Sequence, residues 1–317
     1  MKLFLPYLKQ DWKNKEFKKV IIAGIPRGGT TWLAELFSAV PNSAYIHEPL
    51  NLGRIRQVQY LKFHSRQYIP SDAKWEEAKN FMHDLVNGKI INPALLIHNQ
   101  DIPALLRSEY LVLKFCRLNQ MLPWFTKNVE TLKPIYIIRH PCAVVYSQMN
   151  HGAFKYNIDF PYVFKAPGGP FNNDLYKTIE KEIYPLKSIE EVLALHWCLD
   201  SMPLYQMENN SSWTTVAYEE GILNQDTFID KLFSSNKIEI PSDIERRLAK
   251  PSYSTQKNNR LRDGSSQLKK WKDKLTKTSI NKIFDVLKFF GHDVYSSDLE
   301  PDYSKLIKHN SNIFFTP

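Results

Sequence analysis

The chain has little of what marks several large protein classes. Its 317 residues include only three cysteines (Cys116, Cys142 and Cys198), with no CxxC pair and no histidine cluster near them. That argues against a disulfide scaffold and a zinc–thiolate module, and it is the usage expected of reduced thiols in the cytoplasm. No apolar run approaches the roughly 18–20 residues of a membrane helix, so no membrane span is expected. The N-terminal stretch MKLFLPYLKQDWKNKEFKK lacks a sustained apolar core followed by a small-residue cleavage site, and no signal peptide is read there. His64, His83 and His98 lack HExxH spacing, so no metal site is expected either. Helix-turn-helix, zinc-finger and RNP spellings are absent, which argues against a nucleic-acid partner. No internal repeat is visible.

What remains is a globular composition: 43% hydrophobic, 13% aromatic and 24% charged residues, enough for one large α/β domain or two small ones. The net charge is +9 and unevenly spread. Between Arg246 and Lys274 ten Lys/Arg face only Asp263 and Asp273. Such a block suits a nucleic acid, a membrane surface or a polyanionic small molecule. A nucleotide with several phosphates would account for the same charge at one site.

The stretch Lys19–Leu33 organises the chain. Val20, Ile21 and Ile22 form a short β-branched run suited to a strand buried on both faces. Pro26, Gly28 and Gly29 break it, and glycine supplies the dihedrals that turn backbone N–H groups inward. Leu33, Leu36, Phe37 and Val40 then follow helical spacing. Strand, N–H-lined loop and helix N-terminus make an anion cradle. Gly24–Thr31 fits G-x-x-x-x-G, yet Thr30 occupies the position of the P-loop lysine. A Walker-type NTPase needs that lysine on its phosphates. Here the cation comes earlier, as Arg27.

Five segments carry a family resemblance. P-R-G-G-T-T-W-L at 26–33 resembles the 5′-phosphosulfate loop of the PAPS-dependent sulfotransferases, and His47-Glu48-Pro49-Leu50 the E-P-L segment of their carbohydrate-type and bacterial branch. Arg139-His140-Pro141 with Ser147 eight residues after Arg139 is similar to the family's 3′-phosphate motif. Tyr218-Glu219-Glu220 resembles its Y-E-D/E step, and Trp271–Thr276 the W-K-x-x-[FL]-T that closes the nucleotide site. The family's R-K-G before that segment is replaced by Arg260, Arg262, Asp263 and Gly264 at shifted offsets.

The resemblance implies a single domain over 1–317: an α/β, P-loop-like parallel sheet with helices on both faces. It implies transfer of a sulfuryl group from PAPS, leaving PAP, with no metal required. The acceptor would be a hydroxyl of a glycan, a lipid-linked sugar or a small metabolite. Arg27, Gly28, Gly29, Thr30, Thr31 and Trp32 would bind the donor, together with Arg139, Ser147, Tyr218 and Arg260 or Arg262. Glu48 would be the catalytic base, with Arg27 supporting the leaving phosphate. Pro49 is expected to hold Glu48 extended, so that Glu48 and His47 point to opposite sides and only one of them faces the reacting centre. A P-loop-type kinase and a non-catalytic PAP-binding protein are the other classes this architecture allows.

Elsewhere the pattern predicts strands at Ala44–His47, Tyr110–Phe115, Ile135–Ile138 and Trp213–Tyr218. Lys114 and Arg117 then fall at or just past a strand's carboxyl end, where open α/β sheets bind ligands. Helices are predicted over Gln57–Tyr68, Trp75–Val86 and Ile189–Met207, the last placing His196 in the core, and over a final core-facing helix from Ile280 to Phe290. Segments 51–107 and 152–187 read as acceptor-side insertions or lids, the second of them loop-like, and the tail from His292 reads as surface.

Overall fold

The computed structural model describes residues 5–96, 102–154, 170–171, 174–182, 186–201, 212–252 and 264–307. Five parallel strands form its sheet: β1 (Lys18–Gly24), β2 (Ser43–His47), β3 (Tyr110–Phe115), β4 (Ile135–Ile138) and β5 (Thr214–Ala217). Their order is β2-β3-β1-β4-β5, with β1 at the centre; β2 lies at one edge, β3 returns between it and β1, and β4 and β5 then build outward on the other side. Ile22 pairs with Lys114 on one flank and with Ile135 on the other.

The sheet is buried on both faces, as its near-continuous apolar strands require. Ile21, Ala23, Leu113, Phe115, Tyr136 and Ile138 face one core. Their alternates Val20, Ile22, Val112, Ile135 and Ile137 face the other, where Phe37 stacks on Phe233 with centroids 4.8 Å apart. Period-two alternation thus divides each strand between two cores. The helices Pro141–Met149, Ile189–Asp200 and Lys277–Phe289 cover the first face; Thr30–Phe37 and Gln225–Phe233 cover the second.

Several expectations change in detail. The predicted helix Gln57–Tyr68 is only Arg56–Tyr60, ending before Lys62 at φ 55°. Segment 152–187 is not all loop: a helix runs Asp174–Glu182, with Tyr176 and Ile179 buried one turn apart among charged residues that hide the period. The described segment after Phe290 is not all surface. His292, Val294 and Tyr295 are buried, and a further helix, Tyr303–Ile307, follows with Leu306 buried.

Val294, Tyr295 and Leu306 join the apolar core, and polar contacts fix the segment in place. Tyr295 donates its hydroxyl to Glu219 Oε2 at 3.0 Å, and Glu219 Oε1 accepts the His140 backbone N–H at 2.9 Å. His140 stacks on Trp271 at 4.3 Å, and its Nε2 lies 3.0 Å from the Ser296 carbonyl. The tail therefore completes the packing under the turn that carries Arg139. Tyr295→Phe should leave a buried carboxylate oxygen without its donor and cost about 1–3 kcal/mol. Urea unfolding checks this; an unchanged midpoint would mean the bond adds nothing.

Candidate functional site

The turn after β1 builds the first half of the site. Ile25–Gly28 closes tightly, with the Gly28 N–H donating to the Ile25 carbonyl at 2.8 Å. The Gly28 amide is thus committed to the turn, and Gly28 does not line the cavity above it, contrary to its expected donor contact. Arg27 has φ 69° and Gly29 φ 102°. At Gly29 a side chain would be strained, and a Cβ would meet Tyr218 Cδ2 at 2.6 Å, so only glycine fits. The helix ladder begins with Leu33 N–H to the Gly29 carbonyl, which leaves the Thr30, Thr31 and Trp32 amides to an outside acceptor.

Two guanidiniums converge on this turn. Arg27 Nε donates to Ser147 Oγ at 3.1 Å, across 120 residues of chain. Arg139 lies over the Tyr218 ring, 4.3 Å from its centroid, and its Nη1 reaches the Arg27 carbonyl at 3.4 Å. Arg139 Nε is buried with no hydrogen-bond partner among the described residues. Burial first, and Arg139 second, lower the Arg27 pKa. Like charges so placed, with a buried donor unused, fit an anion. Trp32 meets Tyr218 edge-on at 5.1 Å and donates Nε1 to the Leu248 carbonyl at 3.3 Å. The open cavity over these groups measures about 780 Å³, and Arg27, Gly29–Trp32, Arg139, Ser147 and Tyr218 all line it. Arg260 and Arg262 lie outside the described residues.

The second half lies over the ends of β3 and β2. Glu48 Oε1 pairs with Lys114 Nζ at 2.5 Å, while Oε2 accepts from the Cys116 N–H at 3.2 Å and from Arg117 Nη1 at 3.3 Å. Burial alone would push this carboxyl up, but Lys114, the Cys116 side chain and Arg117 outweigh it and hold the pKa at about 2. Beside it, burial pushes the Cys116 thiol up to about 12, so the thiol is neutral.

Glu48 is not extended, as Pro49 had suggested: its φ is 52°, with its N–H on the Lys114 carbonyl and its own carbonyl accepting from Asn51 N–H. The three donors on its carboxylate over-determine this left-handed conformation. The change of hand breaks strand alternation, so His47 and Glu48 both line the cavity. His47 Nδ1 lies 2.8 Å from the Tyr45 hydroxyl.

Residues without a motif complete the walls. Asn51, Arg54 and Arg66 come from the 51–107 insertion, Asp200 from the Ile189–Asp200 helix, and His151, Lys250 and Lys270 from three further segments. Arg66 Nε meets Asp200 Oδ1 at 2.9 Å. Only the position of Lys270, beside Trp271, could have flagged any of them from sequence. His196 is buried, and burial drives its pKa well below the ordinary value, as a core histidine requires.

The Glu48 cluster has a pH signature. Its folded pKa of about 2 lies below the ordinary 4.5, so its contribution is complete above about pH 5 and lost as pH falls toward 2. Glu48→Gln strands the buried Lys114 and should cost about 3–5 kcal/mol near neutrality. Chemical denaturation of both forms should show that gap narrowing as pH drops from 5 to about 3. A gap that does not vary with pH would refute the assigned ion pairing.

A family model described as a sulfotransferase domain matches residues 17–288. A comparison with curated proteins finds no match. Among solved structures, the sulfotransferase domain of the Synechococcus PCC 7002 olefin synthase is 13% identical at TM-score 0.45, covering 89% of this chain and 98% of its own. The sulfotransferase domain of the curacin biosynthetic pathway is 14% identical at TM-score 0.43, covering 88% and 99%. A mouse sulfotransferase complexed with PAP is 14% identical at TM-score 0.40, covering 89% and 87%. With the family model spanning most of its length, this chain belongs to the sulfotransferase family.

Proposed function

We propose that this sulfotransferase draws on PAPS and sulfates a hydroxyl of a small molecule or sugar, with Glu48 receiving the acceptor proton. The observation that carries the reading is the convergence of Arg27 and Arg139 on the amide-lined turn, with Arg139 Nε buried and without a hydrogen-bond partner among the described residues. PAPS supplies a sulfuryl group on a phosphate leaving group, together with a 3′-phosphate that distinguishes it from ATP.

Arg27 and the Thr30–Trp32 amides would neutralise the phosphosulfate end, and the Thr30 and Thr31 hydroxyls add donors. Arg139 and Ser147 are the pair expected at the 3′-phosphate. Tyr218 and Trp32 supply flat aromatic surface for the base. No P-loop lysine stands at Thr30, which disfavours the kinase alternative.

On the acceptor side, Glu48 stays ionised at every working pH and is available as a proton acceptor. Its low pKa limits its strength as a base. Any anion that draws Lys114 or Arg117 away from it would raise that pKa toward the ordinary range. His47 shares the wall, but its Nδ1 is taken up with Tyr45.

Two outcomes test the reading. PAP should bind far more tightly than AMP or ATP in calorimetry, and Arg139→Ala should erase most of that preference, a loss of about 2–5 kcal/mol. Equal affinity for PAP and AMP would overturn the donor assignment. Second, Glu48→Gln should lower kcat by about 10²–10⁴-fold, with PAP affinity kept as the control for folding. His47→Ala should cost far less, and both rates should persist in EDTA. A dead His47 variant beside an active Glu48→Gln would move the base to the imidazole; binding of PAP with no turnover of any acceptor would favour the non-catalytic alternative.

A further inference from the structure

The sheet order divides the cavity. Arg27, Arg139 and Tyr218 follow β1, β4 and β5, whereas Glu48 and Arg117 follow β2 and β3 on the other flank. In the first half the wall cations are Arg27, Arg139, Lys250 and Lys270, and no carboxylate lines it among the described residues. A nucleotide with a 3′-phosphate and a phosphosulfate carries roughly four negative charges, which matches that number.

The second half has its own charge balance. Lys114, Arg117, Arg54 and Arg66 face Glu48 and Asp200, a surplus of two positive charges among the described lining residues. Lys114 is spent on Glu48, and Arg66 on Asp200. Arg117 is only partly spent: its one contact with Glu48 is 3.3 Å long, and its Nε is buried without a partner among the described residues. Arg54 is exposed at the rim and uses Nη1 on the Ala94 carbonyl at 2.8 Å, which leaves its other donors to face the cavity. A neutral acceptor would leave the half-buried Arg117 charge only partly matched, which costs free energy, and the exposed Arg54 adds a second cation at the rim.

We propose that the acceptor carries a carboxylate-class anionic group beside the hydroxyl that is sulfated, and that Arg117 and Arg54 form the subsite that selects it. The inference rests on the donor reading only in deciding which half is left to the acceptor. It makes Arg117 and Arg54 specificity residues: they hold the acceptor's charge and do not touch the bond that forms.

The test uses the full chain and two matched probes, benzoate and its neutral isostere benzamide. PAP is titrated first by calorimetry; each probe is then added to the PAP-saturated protein and followed by ligand-observed NMR. Benzoate should bind saturably without displacing PAP, and benzamide should not. Arg117→Met and Arg54→Gln should each weaken benzoate about tenfold or more, with PAP affinity within a few-fold of the parent. Arg54 is exposed, so its variant remains informative if Arg117→Met folds poorly. Equal binding of both probes, no benzoate binding to the PAP complex, competition with PAP, or indifference to both substitutions would overturn the subsite. Should PAP itself fail to bind, the donor reading falls alone. Benzoate binding by the free protein and its loss in the two variants would then decide the subsite.

Discussion

Parallel pairing of β1 with a neighbour on each side is the constraint from which the site follows. Because β3, β1 and β4 run in one direction, their carboxyl ends finish along one edge, and every turn that leaves them opens there. Arg27 and Ser147 lie 120 residues apart and are brought to 3.1 Å by this register and the helix Pro141–Met149 that follows β4. The same edge receives Glu48 from β2 and Tyr218 from β5. A slip of one residue in β1 would exchange the two cores and turn Ile21 and Ile22 to the wrong faces. Burial on both sides of the sheet therefore protects the chemistry as well as the fold.

Charge is the second organising quantity. The edge gathers cations that burial makes costly, and they are tolerated in three ways. Lys114 is neutralised by Glu48 within hydrogen-bond distance. Arg66 is neutralised by Asp200. Arg27 rests on a serine hydroxyl, and Arg139 on an aromatic ring and a carbonyl. The ion pairs of Lys114 and Arg66 serve the fold. Buried ion pairs are weak contributors to net stability, since desolvation offsets most of the attraction. Fixing geometry is the better account of the Glu48 cluster, which holds a non-glycine residue at φ 52°.

Behind the site, a neutral layer keeps the Arg139 turn in place. His140 is buried, and burial pulls its pKa down to about 3, so it packs uncharged against Trp271. Its Nδ1 accepts from the Cys142 N–H, which leaves the proton on Nε2 for the Ser296 carbonyl. A helix N-terminus, a stacked indole and the tail thus meet at one imidazole. A charged side chain there would have to be neutralised within an apolar layer.

The sequence by itself determined the architecture and which motif residues gather at the turn after β1. β-branched runs, Gly/Pro turns and helical periods are local signals, and the motif residues Arg27, Arg139, Ser147 and Tyr218 each follow a strand that could be read directly. The same local reasoning missed what depends on contact. Gly28 spells like an anion ligand but spends its amide on a turn, and Glu48 takes a left-handed conformation that Pro49 argues against. Tyr176 and Ile179 are two apolar positions among charges, too few to reveal a helix. Only the tertiary structure decided the state of Glu48, because its pKa depends on Lys114 and Arg117, 66 and 69 residues away. It alone placed Arg54, Arg66 and Asp200 on one wall, since no period or motif links an insertion to the end of a distant helix. It also buried Tyr295, whose partner Glu219 lies 76 residues earlier. Backbone preferences are local and therefore legible in a sequence. Electrostatic state and the shape of a cavity are sums over neighbours, and those exist only once the chain has folded.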